Sequence, residues 1–171
     1  MNMYPSLTIM RSSLADKFFT LRSSALRDSL WARLTGKNTR LATFPEQAPE
    51  KSPNRKLIGI QEIPVEEIVG TLNRASDFDR KFRPLKSYLR DRWVNVYLTL
   101  ENEGWSPIVV HKVGENYYVE DGHHRVSVAR LLGMAFIQAR IWEYPVHTKQ
   151  PKKCESERCV ERSSAKVYAT E

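Results

Sequence analysis

Residues 117–133 read YYVEDGHHRVSVARLLG, and this stretch leaves few folds open. Tyr117, Tyr118 and Val119 are aromatic or β-branched, the side chains that fit a pleated sheet. Asp121-Gly122 favours a tight turn, because glycine takes backbone angles that other residues resist. Val126, Val128, Ala129, Leu131 and Leu132 then mark a helix, and Gly133 suits the position just past its end. A strand therefore delivers the chain through a glycine turn into a helix whose first residues are His123, His124 and Arg125. Unpaired backbone N–H groups and the positive end of the helix dipole meet at such a start, which makes it an anion site. Arg125 would add a fork of donors matched to phosphate. An ordinary strand–turn–helix with two solvated histidines accounts for the same pattern, since one glycine turn is a weak signal.

The motif adds to this reading. Gly122, Arg125, Ala129 and Gly133 resemble the pattern of the ParB/sulfiredoxin superfamily, whose ParB domains carry Gly-Glu-Arg-Arg here. His124-Arg125 is similar to the end of the sulfiredoxin Gly-Cys-His-Arg motif. Asp121, Gly122, His123 and Arg125 resemble Asp-Gly-His-Thr-Arg of the superfamily's free-serine kinases. The resemblance runs over roughly residues 57–144. It implies an α+β fold, a small mixed sheet with packed helices, and a nucleotide or phosphate ligand held by Gly122, His123, His124 and Arg125. Phosphoryl transfer or nucleoside triphosphate hydrolysis, with Mg2+, is the activity this implies. ParB-like nuclease domains imply the alternative, a nucleic-acid-binding module with nuclease activity. Two departures limit the analogy. The sulfiredoxin cysteine is His123 here, so that redox chemistry is absent, and the ParB Glu-Arg pair is His123-His124.

The chain has 171 residues, a 41% hydrophobic share and a formal charge of +7. That is enough for one domain with extensions, and the charge favours anionic partners. No apolar run approaches the roughly 20 residues of a membrane-spanning helix, and no secretory signal is visible. The two cysteines, Cys154 and Cys159, lie in a polar stretch without zinc spacing. No zinc or haem is expected, and a cytoplasmic location fits.

Periodicity predicts a helix over roughly residues 12–34. Leu14, Phe18, Leu21 and Ala25 form one line, with Leu26, Leu30 and Leu34 on a neighbouring line. Over residues 11–40, seven basic residues stand against two acids, a surplus of five. Such a helix docks on its own domain, lies on an anionic membrane, meets a partner protein, or tracks a nucleic-acid backbone through Arg22, Arg27 and Arg33 together with Arg125. As a non-catalytic interaction protein, the chain would use this helix as its docking element. Residues 1–43 read as a basic helical extension and 44–56 as a proline-rich linker. Residues 57–145 read as the motif domain and 146–171 as a polar, disordered tail. Within the domain, strands are expected near Leu57, over 108–113, at Tyr117 and over 136–144, with a helix over 85–103. A partitioning clamp is disfavoured, because ParB clamps carry a helix-turn-helix domain after the motif domain and only the tail follows Pro145.

The catalytic candidates are Asp121, His123, Asp79 and Glu66, with Glu67 and Asp77 as further carboxylates. A transferase needs positioned phosphates, a metal and a carboxylate beside the attacking hydroxyl. Asp121 has two readings, as the cap of the motif helix or as the holder of a metal or substrate hydroxyl. The loop 70–83, with Asn73 and Arg74, is expected to fold over the ligand on a Gly70 hinge. An ion-paired surface loop is the alternative.

Overall fold

The computed structural model describes residues 7–45 and 55–145. Within them the chain is α+β. Helix α1 (Leu7–Thr35) precedes strand β1 (Ala42–Thr43). Strands β2 (Lys56–Pro64) and β3 (Ile68–Thr71) lead through a loop to helix α2 (Arg90–Asn102). Strands β4 (Ile108–Val113) and β5 (Asn116–Asp121), helix α3 (His123–Leu131) and strand β6 (Phe136–Tyr144) follow. The strands form one mixed sheet in the order β1-β3-β5-β4-β6-β2. The β4–β5 and β6–β2 pairs are antiparallel and the remaining pairs parallel.

Burial alternates along β6, with Ile137, Ala139 and Ile141 buried and Phe136, Gln138 and Arg140 exposed. One face of the sheet is therefore covered by helices, and the β6–β2 end of the other is open to water. Towards β5 that second face carries an aromatic cluster. Phe44 packs edge-on against His111, Tyr118 and Tyr144. His111 is bridged by the Tyr144 hydroxyl at 2.9 Å and the Glu120 carboxylate at 2.7 Å.

Helix α3 ends as its sequence requires. Gly133 takes a φ of 67°. Its N–H reaches the Arg130 carbonyl at 3.2 Å, while the Met134 N–H reaches Ala129 at 2.9 Å. That paired closure satisfies carbonyls the helix end would otherwise strand. Trp93 on α2 donates to Ser127 Oγ on α3 at 3.1 Å, which pins the two helices across a buried seam.

Three points of the sequence reading are decided. Of the readings given for the N-terminal helix, docking on its own domain is the one observed, so the residues read as an extension are built into the domain. Leu14, Phe18 and Leu41 belong to the same core as Trp93, Val119 and Val126. Phe18 meets Trp93 edge-on at 5.8 Å, and Arg22 Nε donates to the Leu85 carbonyl at 3.0 Å. Second, Ala42 and Thr43 add an edge strand beside β3, and strand β3 itself includes Gly70. Gly70 is no hinge. A Cβ there would lie 2.5 Å from the Ala42 carbonyl oxygen and within 2.8 Å of Tyr118 ring atoms. The glycine lets two strands and an aromatic ring close up. Third, the two apolar lines of α1 do not share one environment. Leu14, Phe18, Ala25 and Ala32 are buried while Leu26, Leu30 and Leu34 are exposed. The polar tail, both cysteines and most of the proline-rich linker lie outside the described residues.

Candidate functional site

Strand β5 and helix α3 meet at Gly122, whose φ of 106° only glycine takes without strain. A Cβ at this position would lie 2.8 Å from Ile108 Cβ. The missing side chain therefore serves packing on β4 as much as access for a ligand. Among the described residues no side chain caps α3, so the cap reading of Asp121 is set aside. The first amides of the helix keep no side-chain acceptor, and its positive dipole end faces a cleft of about 110 Å³. Asn73 and Arg74 come to this cleft from the loop after β3, Arg92 and Val96 from α2, and Glu120 and Asp121 from β5, beside His123 and His124.

Arg125 does not reach out to an anion. Its guanidinium donates to Asp121 and to the Ser106 and Pro107 carbonyls, the last at 3.0 Å. It fastens the start of α3 to the turn before β4, and the expected phosphate fork is spent inside the fold. Cations are supplied from elsewhere. Arg92 is exposed and makes no ion pair with the described residues. Arg74 pairs with Asp77 at 3.0 Å and stays half-exposed. Burial alone would raise the Asp77 pKa, but hydrogen bonds from Tyr88 and Arg74 outweigh it and hold the carboxyl below its ordinary value.

The histidines are neutral. Burial, followed by neighbouring positive charge, pulls both His123 and His124 from 6.5 to about 4. The tautomer of His123 follows from its partner. Thr71 Oγ1 accepts the backbone N–H groups of Asn73 and Arg74 at 3.2 and 3.0 Å. With both lone pairs engaged, its proton points to His123 Nε2, 2.6 Å away. The ring hydrogen of His123 therefore sits on Nδ1. Stacking on Phe78 fixes the ring plane. His124 also packs edge-on against Phe78, and its Nε2 is buried with no hydrogen-bond partner among the described residues. A buried polar nitrogen left so costs about 1–3 kcal/mol, and such groups are uncommon enough to ask for a cause.

The sequence-predicted site splits in two. Asp121, Gly122, His123, His124 and Arg125 gather as expected, and Asn73 and Arg74 join them. Asp79 and Glu66 do not. Both line a separate groove between the end of α1, β1 and residues 79–83. Asp79 is buried and accepts from Arg83 Nε at 2.8 Å and from the Lys81 and Arg83 amides at 3.0 and 2.8 Å. It is a loop clamp with no free lone pair to offer a substrate. The four nucleic-acid candidates also part company: Arg22 and Arg125 are partly buried and donate to carbonyls inside the fold, while Arg27 and Arg33 are exposed. Arg92, Thr71 and Glu120 were missed. Arg92 sits on the polar side of a helix, where an arginine reads as an ordinary solvated one.

The donor set does not make a metal cage. No cluster of three or more His, Cys, Asp or Glu side chains exists among the described residues. Asp121 is held by Arg125, and Glu120 by His111. A Mg2+ ion at this cleft would therefore have to be carried mainly by a ligand's own phosphates.

No family model matches the chain, and no curated protein does. Among solved structures it is similar to sulfiredoxin from Arabidopsis thaliana, at 26% identity and a TM-score of 0.38, over 50% of this chain and 85% of that one. The α+β class rests on the sheet and helices described above.

Proposed function

We propose that the cleft at the start of α3 binds the phosphate end of a small ligand. The reading rests on one juxtaposition. Arg74 and Arg92, from two separate elements, stand at a helix N-terminus that no described side chain caps, beside a His124 nitrogen with no partner among the described residues. Positive charge here comes from the guanidinium groups and the backbone, because both imidazoles are neutral. A cleft of about 110 Å³ is smaller than the roughly 300 Å³ at which drug-sized sites begin. It suits a phosphate group, with the rest of the ligand lying outside along α2. This agrees with what the Gly122–Arg125 motif resemblance implies, with the cation contacts reassigned from Arg125 to Arg92 and Arg74.

The reading is binding rather than transfer. The carboxylates nearest the cleft are each engaged, Asp121 by Arg125, Glu120 by His111 and Asp77 by Arg74 and Tyr88. Isothermal titration with ATP, ADP, CTP, GTP and inorganic phosphate, with and without Mg2+, tests it. At protein concentrations where a Kd of about 1 mM still registers, at least one phosphate compound is expected to bind, and Arg92→Glu is expected to weaken it tenfold or more. Silence from every compound sinks the reading.

A further inference from the structure

Helix α1 carries more of the exposed large apolar side chains than all the other described residues together. Leu30, Trp31 and Leu34 are 61%, 65% and 80% exposed. At about 3.6 residues per turn, Leu30 and Leu34 fall nearly opposite the face that Leu14, Phe18, Ala25 and Ala32 bury in the core, with the less exposed Leu26 at the flank between them. The helix is thus apolar on two sides, one spent on the fold and one facing water. Cations interleave the outer side. Arg27, Arg33 and, just beyond the helix end, Lys37 make no ion pair with the described residues. The acid in this half of the helix, Asp28, is turned to Arg83 at 2.8 Å.

We propose that the C-terminal half of α1 docks on an anionic lipid surface. Charge complementarity selects that occupant. A second copy of the chain offers Arg27 and Arg33 no acid from this half of the helix, since Asp28 is turned to Arg83, and a protein partner would have to place a carboxylate opposite each cation while filling the leucine ridge. A bilayer with acidic headgroups meets both demands at once. Leucine and tryptophan enter the boundary between headgroups and acyl chains, while arginine stems run along the apolar surface and keep their heads at the phosphates. The docked core face stays untouched, so the domain sits on the membrane without unfolding. No helix among the described residues is long and apolar enough to cross it.

Co-sedimentation of the full chain with two kinds of vesicle tests this, one of phosphatidylcholine alone and one with equal parts phosphatidylglycerol. Pelleting is expected with the anionic vesicles only, and it should fall as salt rises. Arg27→Gln and Arg33→Gln should each weaken partition about fivefold. Leu30→Gln combined with Leu34→Gln should abolish it while leaving the melting temperature in place, since both side chains already stand in water. Failure to pellet with either vesicle overturns the proposal. So does pelleting that neither salt nor the leucine changes reduce. A dimer at sedimentation equilibrium that the leucine changes dissolve would assign the face to a second copy instead.

Discussion

Thr71 and His123 share a hydrogen bond that can run in only one direction. Two amides occupy the acceptor sites of the hydroxyl, so its proton goes to Nε2, 2.6 Å away. Thr71→Val would strand two N–H groups and a ring nitrogen in a buried place. The expected cost is about 2–4 kcal/mol, read as a lower denaturant midpoint at unchanged slope. Thr71→Ser keeps the hydroxyl and should recover most of it.

The same burial sets a pH dependence. His123 and His124 take up protons near 6.5 in the unfolded chain but only near 4 in the folded one. Between those values the unfolded state holds more protons, so stability falls as pH drops through the window and levels off below it. The expected slope is at most about 1.4 kcal/mol per pH unit for each histidine. Replacing His124 by Gln should remove about half of it. Urea midpoints measured from pH 7 down to 4 decide the matter, and a flat profile would contradict the neutral, buried state of the two rings.

Arg92 and Arg125 should behave in opposite ways. Arg125 ties α3 to Ser106, Pro107 and Asp121, so Arg125→Gln is expected to destabilise by about 1–3 kcal/mol. Arg92→Gln touches no such network and should stay within about 0.5 kcal/mol of the parent, while weakening phosphate binding. Melting curves run beside titrations separate the two roles.

Gly70→Ala forces a methyl group against the Ala42 carbonyl and the Tyr118 ring. Overpacking of this kind costs about 1–3 kcal/mol, which lowers the melting temperature by roughly 2–4 °C for each kcal/mol in a chain of this size. An unchanged melting temperature would mean that β1 does not lie against β3 as described.

Arg83 bridges Asp79 and Asp28 and also reaches Ser24 Oγ at 3.2 Å. Arg83→Ala leaves the buried Asp79 carboxylate without its countercharge, at an expected cost of about 3–5 kcal/mol. Proteolysis of the 79–83 segment should quicken in that variant.

What could be read from the residues was local. The strands over 108–113 and 136–144, the hairpin between β4 and β5, and the Gly133 stop of α3 each follow from neighbours within a few positions. Strands β1 and β3 were missed because two and four residues show no period, and because Gly70 in a polar setting reads as loop. Parallel pairing joins segments far apart in the chain, so no short-range pattern announces it. Arg125 was misassigned although a signal was present. An acid four residues earlier, Asp121, stands at the end of β5 within reach of the guanidinium and pairs with it. Arg74 was within reach as a loop cation, but Arg92 became relevant only once α2 had packed on α3.

The proline-rich stretch marks a seam in composition, not one in the architecture. A fragment beginning at residue 57 would lose Phe18 from the face of Trp93 and Ala42–Thr43 from the rim of β3. Bare aromatic surface and an unzipped row of amides are the two features by which protein chains stick to one another. Such a shortened piece is expected to precipitate or pair with itself, however complete its motif looks on paper.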